Sequence, residues 1–425
     1  MRPEKEMRIL IATSYFVPAE GFGGPVESVG ALAAAVQAAG VETVVLTTDA
    51  DGSRPRCVPR PGWEMWNGVR VHYSRCRGLS KPSSVGRFFF SPGLATQLFR
   101  NLPSFDLLHL QGNWVFPTLS GSRSAMLYGI PYVLTPRGSL FPWALAQKSL
   151  KKKAYLRLIE RSILYQAARV HYTSELERRV SEGAFPGIPG VVVPNPVEEC
   201  PGNVISGATF RRRIGVAEQT PLVLFLGRLH PMKGLDLLIE SARRVTAEFP
   251  DVVFALVGPD EGGHGEAIRA AMGRVGLDRT IRLPGAVHGQ EKWEALKAAD
   301  IFVFPSHREN FGIAAAEALS CGVPVVTSDA VGIAEDIREA GAGFVVERTP
   351  EGFAEGVMSL LRNEELRVGM GAAGRGLVAR RYAPRVVAEA MIQVYEEVVK
   401  EHLRRPVPQR VRASRALAAS LFPGW

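Results

Sequence analysis

Two glutamates, Glu309 and Glu317, stand with seven residues between them in the stretch 307–329, which reads HRENFGIAAAEALSCGVPVVTSD. Glu309, Asn310, Phe311 and Gly312 fall where a strand pattern ends and a helix opens. Free backbone N–H groups and the positive end of the helix dipole therefore face whatever binds there, and an anion suits that place. Glu317 is the only charge in the run from Ile313 to Ser320, between Ala316 and Ala318. Either it lies on a narrow exposed edge of the helix, or it is a buried carboxylate that needs a partner. Arg228 and Lys233 sit on a comparable strand-to-helix loop, GRLHPMKG, with Gly234 beside the lysine; there, phosphate binding is the better reading of two cations. His109 ends a strand pattern in LLHLQGNW, where α/β sheets bind ligands, and a satisfied structural histidine fits equally well. Arg137 ends another strand, in TPRG. Its guanidinium stays protonated and cannot act as a general base, but it could hold a phosphate or an acceptor carboxylate.

The elements that position these residues repeat. Residues 301–305 and 324–327 read as buried strands joined by an Ala-rich helix closed at Gly322, a βαβ unit. Upstream, residues 221–226 form a strand, 235–249 a helix and 252–257 the next strand, ending at Gly258-Pro259; residues 282–287, which include Val287, form a shorter one. The first half opens the same way. Residues 8–16 read as a strand, Gly21-Phe22-Gly23-Gly24 as a glycine turn, 25–39 as a helix with Pro25 in its first turn, and 41–47 as a strand. The dinucleotide fingerprint is not met, because its third glycine is missing and Glu27 and Ser28 occupy that region; Asp49 as a ribose-binding acid is the weaker reading. Strands follow at 105–110 and 131–135, and breakers over 194–202 begin a hinge.

Composition bounds the rest. A chain of 425 residues suits two α/β domains, and no apolar run approaches the ~20 residues of a membrane span. The opening MRPEKEMRIL carries acids, which argues against a signal peptide, and four cysteines without paired spacing point to a reducing cytoplasm. The net charge of +9 is moderate. Part of it lies in a basic run that begins at Lys148 and ends at Arg169, with Lys153, Arg157 and Arg161 in line beside an apolar stripe of Tyr155, Ile159 and Ile163. This is either an ordinary half-buried helix or an attachment to an anionic membrane surface, while nothing accompanies it that points to nucleic acid. The aromatic run Phe88-Phe89-Phe90 is core or an acceptor-side loop.

Glu309, Glu317, the Asn-Phe-Gly between them and the following Cys-Gly-Val-Pro-Val-Val together resemble the E-x7-E signature of retaining glycosyltransferases with the GT-B architecture. Arg228 and Lys233 match the G-R-x-x-x-x-K-G motif of that family, and Gly23-Gly24 match its glycine turn. The resemblance implies two facing Rossmann-like domains with a cleft between them: an acceptor-binding domain over 1–198, a nucleotide-sugar-binding domain over 199–398, and a tail, 399–425, packing back on the first. It implies a nucleotide-diphosphate sugar as donor and a sugar or lipid-linked sugar as acceptor, in polysaccharide or glycolipid synthesis. Arg228, Lys233 and the helix start at Gly312 and Ile313 would hold the diphosphate, with Gly23 and Gly24 approaching it. Glu317 would take the ribose hydroxyls, and Gly258 and Val287 would border the nucleotide. Glu309 would accept from the sugar, and the Asn310 and Phe311 amides would help hold sugar and phosphate. No metal or other cofactor is expected. The chain departs from the pattern twice: Gln111 replaces the second histidine of His-x-His-Gly, and Arg137 stands where many relatives carry a histidine near the reacting sugar. A GT-B epimerase or phosphorylase, or an inactive nucleotide-sugar-binding scaffold, remain as alternatives.

Overall fold

Near-continuous apolar runs such as LVLFL at 222–226 and IFVF at 301–304 are buried on both faces, as strands inside a parallel sheet must be. The computed structural model describes residues 7–52, 56–77, 88–142, 159–203 and 206–404. Eight of its strands form one sheet: β1 (Arg8–Ala12), β2 (Glu42–Thr48), β3 (Gly62–Trp66), β4 (Val69–Ser74), β5 (Leu107–Gln111), β6 (Tyr132–Thr135), β7 (Arg169–Tyr172) and β8 (Gly190–Val192). Their order is β3-β4-β2-β1-β5-β6-β7-β8, parallel except for the edge hairpin of β3 with β4. Six form another: β9 (Leu222–Leu226), β10 (Val253–Val257), β11 (Ile281–Gly285), β12 (Ile301–Phe304), β13 (Val325–Ser328) and β14 (Gly343–Val346). These run β11-β10-β9-β12-β13-β14, all parallel.

Numbered within the unit, the second sheet has the 3-2-1-4-5-6 order of the doubly wound fold, and β4 to β7 repeat that order in the first. The strand order reverses direction between β9 and β12, and again between β1 and β5. Ligand crevices of such sheets open outside the carboxyl ends of those strands. The loops carrying Arg228, Lys233 and Glu309 follow β9 and β12, the loop carrying Gly23 follows β1, and Gln111 is the last residue of β5.

The chain divides into a unit of Met1–Pro196 with Pro384–Trp425 and a unit of Val197–Ala383. The return to the N-terminal unit thus begins at Pro384, not at residue 399 as expected. The helix Pro384–Leu403 explains the difference: Val387, Ala388, Met391, Val394, Tyr395 and Val398 are buried from its first turn, in one core with Val29, Leu32 and Val36.

Several local expectations shift. The first strand stops at Ala12. Of the basic helix expected over 148–170, Lys148, Lys153, Tyr155 and Arg157 lie outside the described residues; Arg161–Gln166 is helical, and Arg169 opens β7 instead of closing a helix. Phe89 joins Tyr15 and Phe22 in a small aromatic cluster, while Phe88 and Phe90 pack edge-on against Phe116. Asp49 is fully buried and binds Arg56, Arg75 and the Cys76 amide, so it is a structural knot rather than a ribose ligand. The four cysteines are free.

Candidate active site

In the C-terminal unit the loops after β9 and β12 bring Lys233 to Glu309, Nζ to Oε2 at 2.6 Å, with only 17 % and 20 % of their side chains exposed. Lys233 Nζ also lies 5.0 Å from the centre of the Phe304 ring, a cation–π contact at the end of β12. Local chemistry fixes the lysine. The turn Pro231–Lys233 is capped by the His230 side chain, which accepts from the Met232 amide at 3.1 Å. Gly234 follows at φ 67°, and a Cβ there would stand 2.2 Å from the Pro305 carbonyl oxygen. Only glycine lets this turn lie against the end of β12.

Glu309 is held by its backbone. Its N–H donates to Ala330 O, and its carbonyl accepts from Gly332 N–H, both at 3.0 Å. Gly312, at φ 110°, caps the helix Ile313–Ser320 and would meet Val331 at 2.9 Å if it carried a Cβ. Phe311 is 2 % exposed and packs edge-on against Tyr382, so its side chain anchors the turn in the core. The first N–H groups of the helix have no intrahelical acceptor, which leaves a positive backbone end next to the Lys233–Glu309 pair.

Glu317 is buried, at 5 % exposure, and accepts a bond from Lys292 Nζ at 2.7 Å. The edge-of-helix alternative is overturned, and the partner that a buried carboxylate demands is a lysine on the helix Gln290–Ala298. Sequence reasoning asked for that partner without finding it, because no spacing rule links positions 25 residues apart. Arg228 is half exposed and pairs with Glu261 at 2.8 Å rather than with either motif glutamate. Gly258 has a packing reason for being glycine: a Cβ would stand 1.9 Å from Gly227 O. Val287 is 8 % exposed and belongs to the core, so any nucleotide contact there falls to its backbone. Among the described residues no three His, Cys, Asp or Glu side chains gather in a way that could hold a metal ion.

In the N-terminal unit Gly23 caps the helix Gly24–Ala38 at φ 67°, and nothing lies within 4 Å of where its Cβ would be. Of the two readings of His109, the structure fits the satisfied structural histidine and not the ligand-facing one. His109 is fully buried, with Nδ1 2.7 Å from the Tyr395 hydroxyl and Nε2 2.7 Å from Thr135 Oγ1. Burial first, then the nearby His171 and Arg137, push its pKa well below the ordinary histidine value, so it stays neutral. Its neighbour His171 is buried too, and burial lowers it to about 4.

Arg137 stands at φ 53° after β6, and Gly138 N–H donates to the buried carboxylate of Glu177 at 2.5 Å. Its Nε donates to Gln111 Oε1 at 2.9 Å, and its Nη1 to Ser28 Oγ at 2.9 Å and Asn195 Oδ1 at 3.4 Å. The two departures from the resembled pattern are therefore one contact: an amide oxygen at position 111 accepts what the guanidinium at 137 donates. Desolvation pulls the Arg137 pKa below its ordinary value, while Tyr15 and Glu177 act the other way.

Comparison with known proteins agrees with this layout. Residues 207–377 match the family described as glycosyl transferases group 1, and residues 23–196 match the glycosyl transferase 4-like domain. A phosphatidyl-myo-inositol mannosyltransferase of Mycobacterium tuberculosis is 33 % identical over 329 residues, 74 % of this chain and 80 % of that one. A D-inositol 3-phosphate glycosyltransferase of Kineococcus radiotolerans is 28 % identical over 392 residues, 85 % of this chain and 87 % of the relative. Among solved structures, Anabaena Alr3699/HepE in complex with UDP and glucose aligns with a TM-score of 0.72 at 19 % identity, covering 92 % of this chain and all of that one. The fold is GT-B, two Rossmann-like domains.

Proposed function

Because the chain belongs to the group 1 glycosyl transferases, we propose that it moves a hexose-type sugar, with retention, from a nucleotide-diphosphate sugar to an acceptor in glycolipid or polysaccharide synthesis. The observation that carries this reading is the Lys233–Glu309 pair beside the open N-terminus of the helix Ile313–Ser320, at the switch point between β9 and β12. Lys233 and the helix end face the diphosphate, Arg228 leaves Glu261 to join them, and Glu309 turns from the lysine to the sugar hydroxyls. Glu317, steadied by Lys292, takes the ribose. Breaking the anomeric C–O bond places charge on the departing diphosphate, and preorganised cations stabilise it there. A phosphate oxygen of the leaving group then accepts the acceptor hydroxyl's proton as the new C–O bond forms on the same face. No protein base is required: His109 is buried and neutral, and Arg137 cannot take a proton.

The acceptor reading draws on the names of the two relatives, one acting on an inositol phosphate and the other on a phosphatidylinositol. Among the described residues no helix is long and apolar enough to cross a membrane, so a lipid acceptor would be met at a surface, with the basic run at 148–169 as the attachment. The test is a thermal-shift panel of UDP, GDP, ADP and dTDP, in which one nucleotide is expected to stabilise clearly. At ~100 times its dissociation constant a ligand adds about 2.7 kcal/mol, which at about 2–4 °C per kcal/mol for a domain of this size is roughly 5–11 °C. No shift with any of the four would refute the donor site.

A further inference from the structure

Cys200 and Cys321 stand more than a hundred residues apart in sequence, yet their thiols are in hydrogen-bonding contact within the C-terminal unit. Cys321 is 6 % exposed and ends the helix Ile313–Ser320, with its N–H donating to Glu317 O at 3.2 Å and Ala318 O at 3.1 Å. Cys200 is half-buried and packs against the apolar core to which Cys321 belongs. Its segment is clasped on both sides. Val197 N–H donates to Tyr382 O at 2.8 Å, and Gly207 lies so close to the end of the helix Gln290–Ala298 that a Cβ would stand 2.2 Å from Ala298 N. Both sulfurs are thus delivered by fixed backbone: Cys200 by the segment that opens the C-terminal unit at Val197, Cys321 by the helix that carries Glu317.

A disulfide needs Cβ atoms about 3.5–4.5 Å apart and Cβ vectors that do not diverge, and thiols that already hydrogen-bond to one another come close enough for side-chain rotation to bring their sulfurs together. The two environments are unequal, and that sets an order. Burial first, and then the contact with Cys200, push the Cys321 thiol well above its ordinary value, so it stays protonated and shielded. Cys200, only half-buried, is the sulfur that a reagent from solvent meets. Once Cys200 is held in a mixed disulfide it no longer ionises, so its charge stops opposing a thiolate at Cys321, while Lys297, which acts the other way, is still in place. The half-exposed cysteine is built to react first and the buried one to resolve.

We propose that Cys200 and Cys321 form a redox modification site: a low-molecular-weight disulfide, glutathione disulfide in the test below, converts them to one intramolecular disulfide that ties the start of the C-terminal unit to the end of the helix bearing Glu317. The Cys200 thiolate attacks one glutathione sulfur, the glutathione S–S bond breaks, and one glutathione leaves as a thiolate that takes up a proton. The Cys321 sulfur then attacks Cys200 Sγ, gives up its own proton and expels the second glutathione. Two electrons pass from the cysteines to the oxidant, and two glutathione thiols are released for one disulfide formed. In a reducing compartment the pair rests as thiols and closes only when oxidant rises. Nothing in this step depends on the transferase reading.

The test uses the full chain, incubated folded with glutathione disulfide alone and with mixtures of reduced and oxidised glutathione, then alkylated, digested without reduction and read by mass spectrometry. A peptide joining Cys200 to Cys321 is expected, with Cys57 and Cys76, which lie in the N-terminal unit, alkylated as thiols. Because the bond closes a loop of more than a hundred residues, it should raise Tm by roughly 5–15 °C, and dithiothreitol should reverse the rise. Single variants check the order. Cys321→Ser should stop at the mixed disulfide on Cys200, Cys200→Ser should leave Cys321 unmodified, and neither should show the rise in Tm. Cys200→Ser alters only a half-buried position, so it decides the matter even where Cys321→Ser does not fold. No Cys200–Cys321 peptide in glutathione disulfide alone, a link that forms only in denaturant, or the same rise in Tm for Cys200→Ser overturns the proposal.

Discussion

Replacing Lys233 by alanine removes the cation that sits 2.6 Å from Glu309 and, in the proposed reaction, faces the departing diphosphate. At an effective dielectric of ~20, a cation about 4 Å from a phosphate interacts by roughly 4 kcal/mol. Much of that strengthens as charge builds on the leaving group, and deleting one such contact commonly costs ~10²–10³ in turnover. The substitution also leaves Glu309 without its partner, about four-fifths buried, so some loss of stability is expected besides the loss of rate. Adding Glu309→Gln separates the two effects: it should return stability without returning transfer. Glu317→Ala is the contrast. It removes the carboxylate to which Lys292 donates and, in the proposed complex, the acceptor for the ribose, so it should act mainly on donor affinity, through KM rather than kcat. Initial rates of nucleotide-diphosphate release, with acceptor present and with or without EDTA, read all of this. A Lys233→Ala enzyme near the wild-type rate, or a metal requirement, would refute the view that protein cations hold the diphosphate.

Two further outcomes follow from single regions of the fold. His171 is neutral when folded because burial lowers its pKa to about 4 against the usual ~6.5, so its contribution is full above about pH 6.5 and is lost as pH falls toward 4. That window of about 2.5 units is worth roughly 3 kcal/mol; denaturant titrations at pH 7, 5.5 and 4.5 should show a steeper acid loss in wild type than in His171→Gln, and equal slopes would contradict the assignment. Alanine at Lys153, Arg157 and Arg161 should weaken co-sedimentation with anionic vesicles on the order of a hundredfold, with added salt weakening the wild type as well, and equal binding by both proteins would return this run to an ordinary solvated face.

What the sequence made legible was what depends on local chemistry. Strands β9 and β12 follow from unbroken runs of Val, Leu, Ile and Phe, and Gly234 and Gly312 mark turns that no other residue fits, so the sequence alone locates the loops bearing Lys233 and Glu309. That these two side chains meet could not be read, because the approach depends on β9 and β12 being neighbours, which is a property of the sheet order. Lys292 escaped for the same reason. The helical pattern over 148–170 runs into β7 because a strand such as RVHY, with a charge at its first position, is too short to interrupt it.

His109 shows why a residue at the right place in the topology is not thereby a functional one. The end of β5 is where ligands bind in such sheets, yet the ring is closed off by Tyr395, 286 residues later in sequence, on the helix that returns to this unit. Covering the histidine leaves its hydrogen bonds intact and removes its access. Gln111, itself buried, lies 3.1 Å from His109 Nε2 and accepts from Arg137, and Arg137 is held in turn by Ser28 and Asn195. Titratable chemistry at this edge has thereby been exchanged for a fixed positive charge. A histidine there could donate, accept or carry a proton, whereas a guanidinium can only donate and attract. The exchange is compatible with transfer only if the proton moves elsewhere, and a leaving diphosphate that accepts it meets that requirement without any help from this unit.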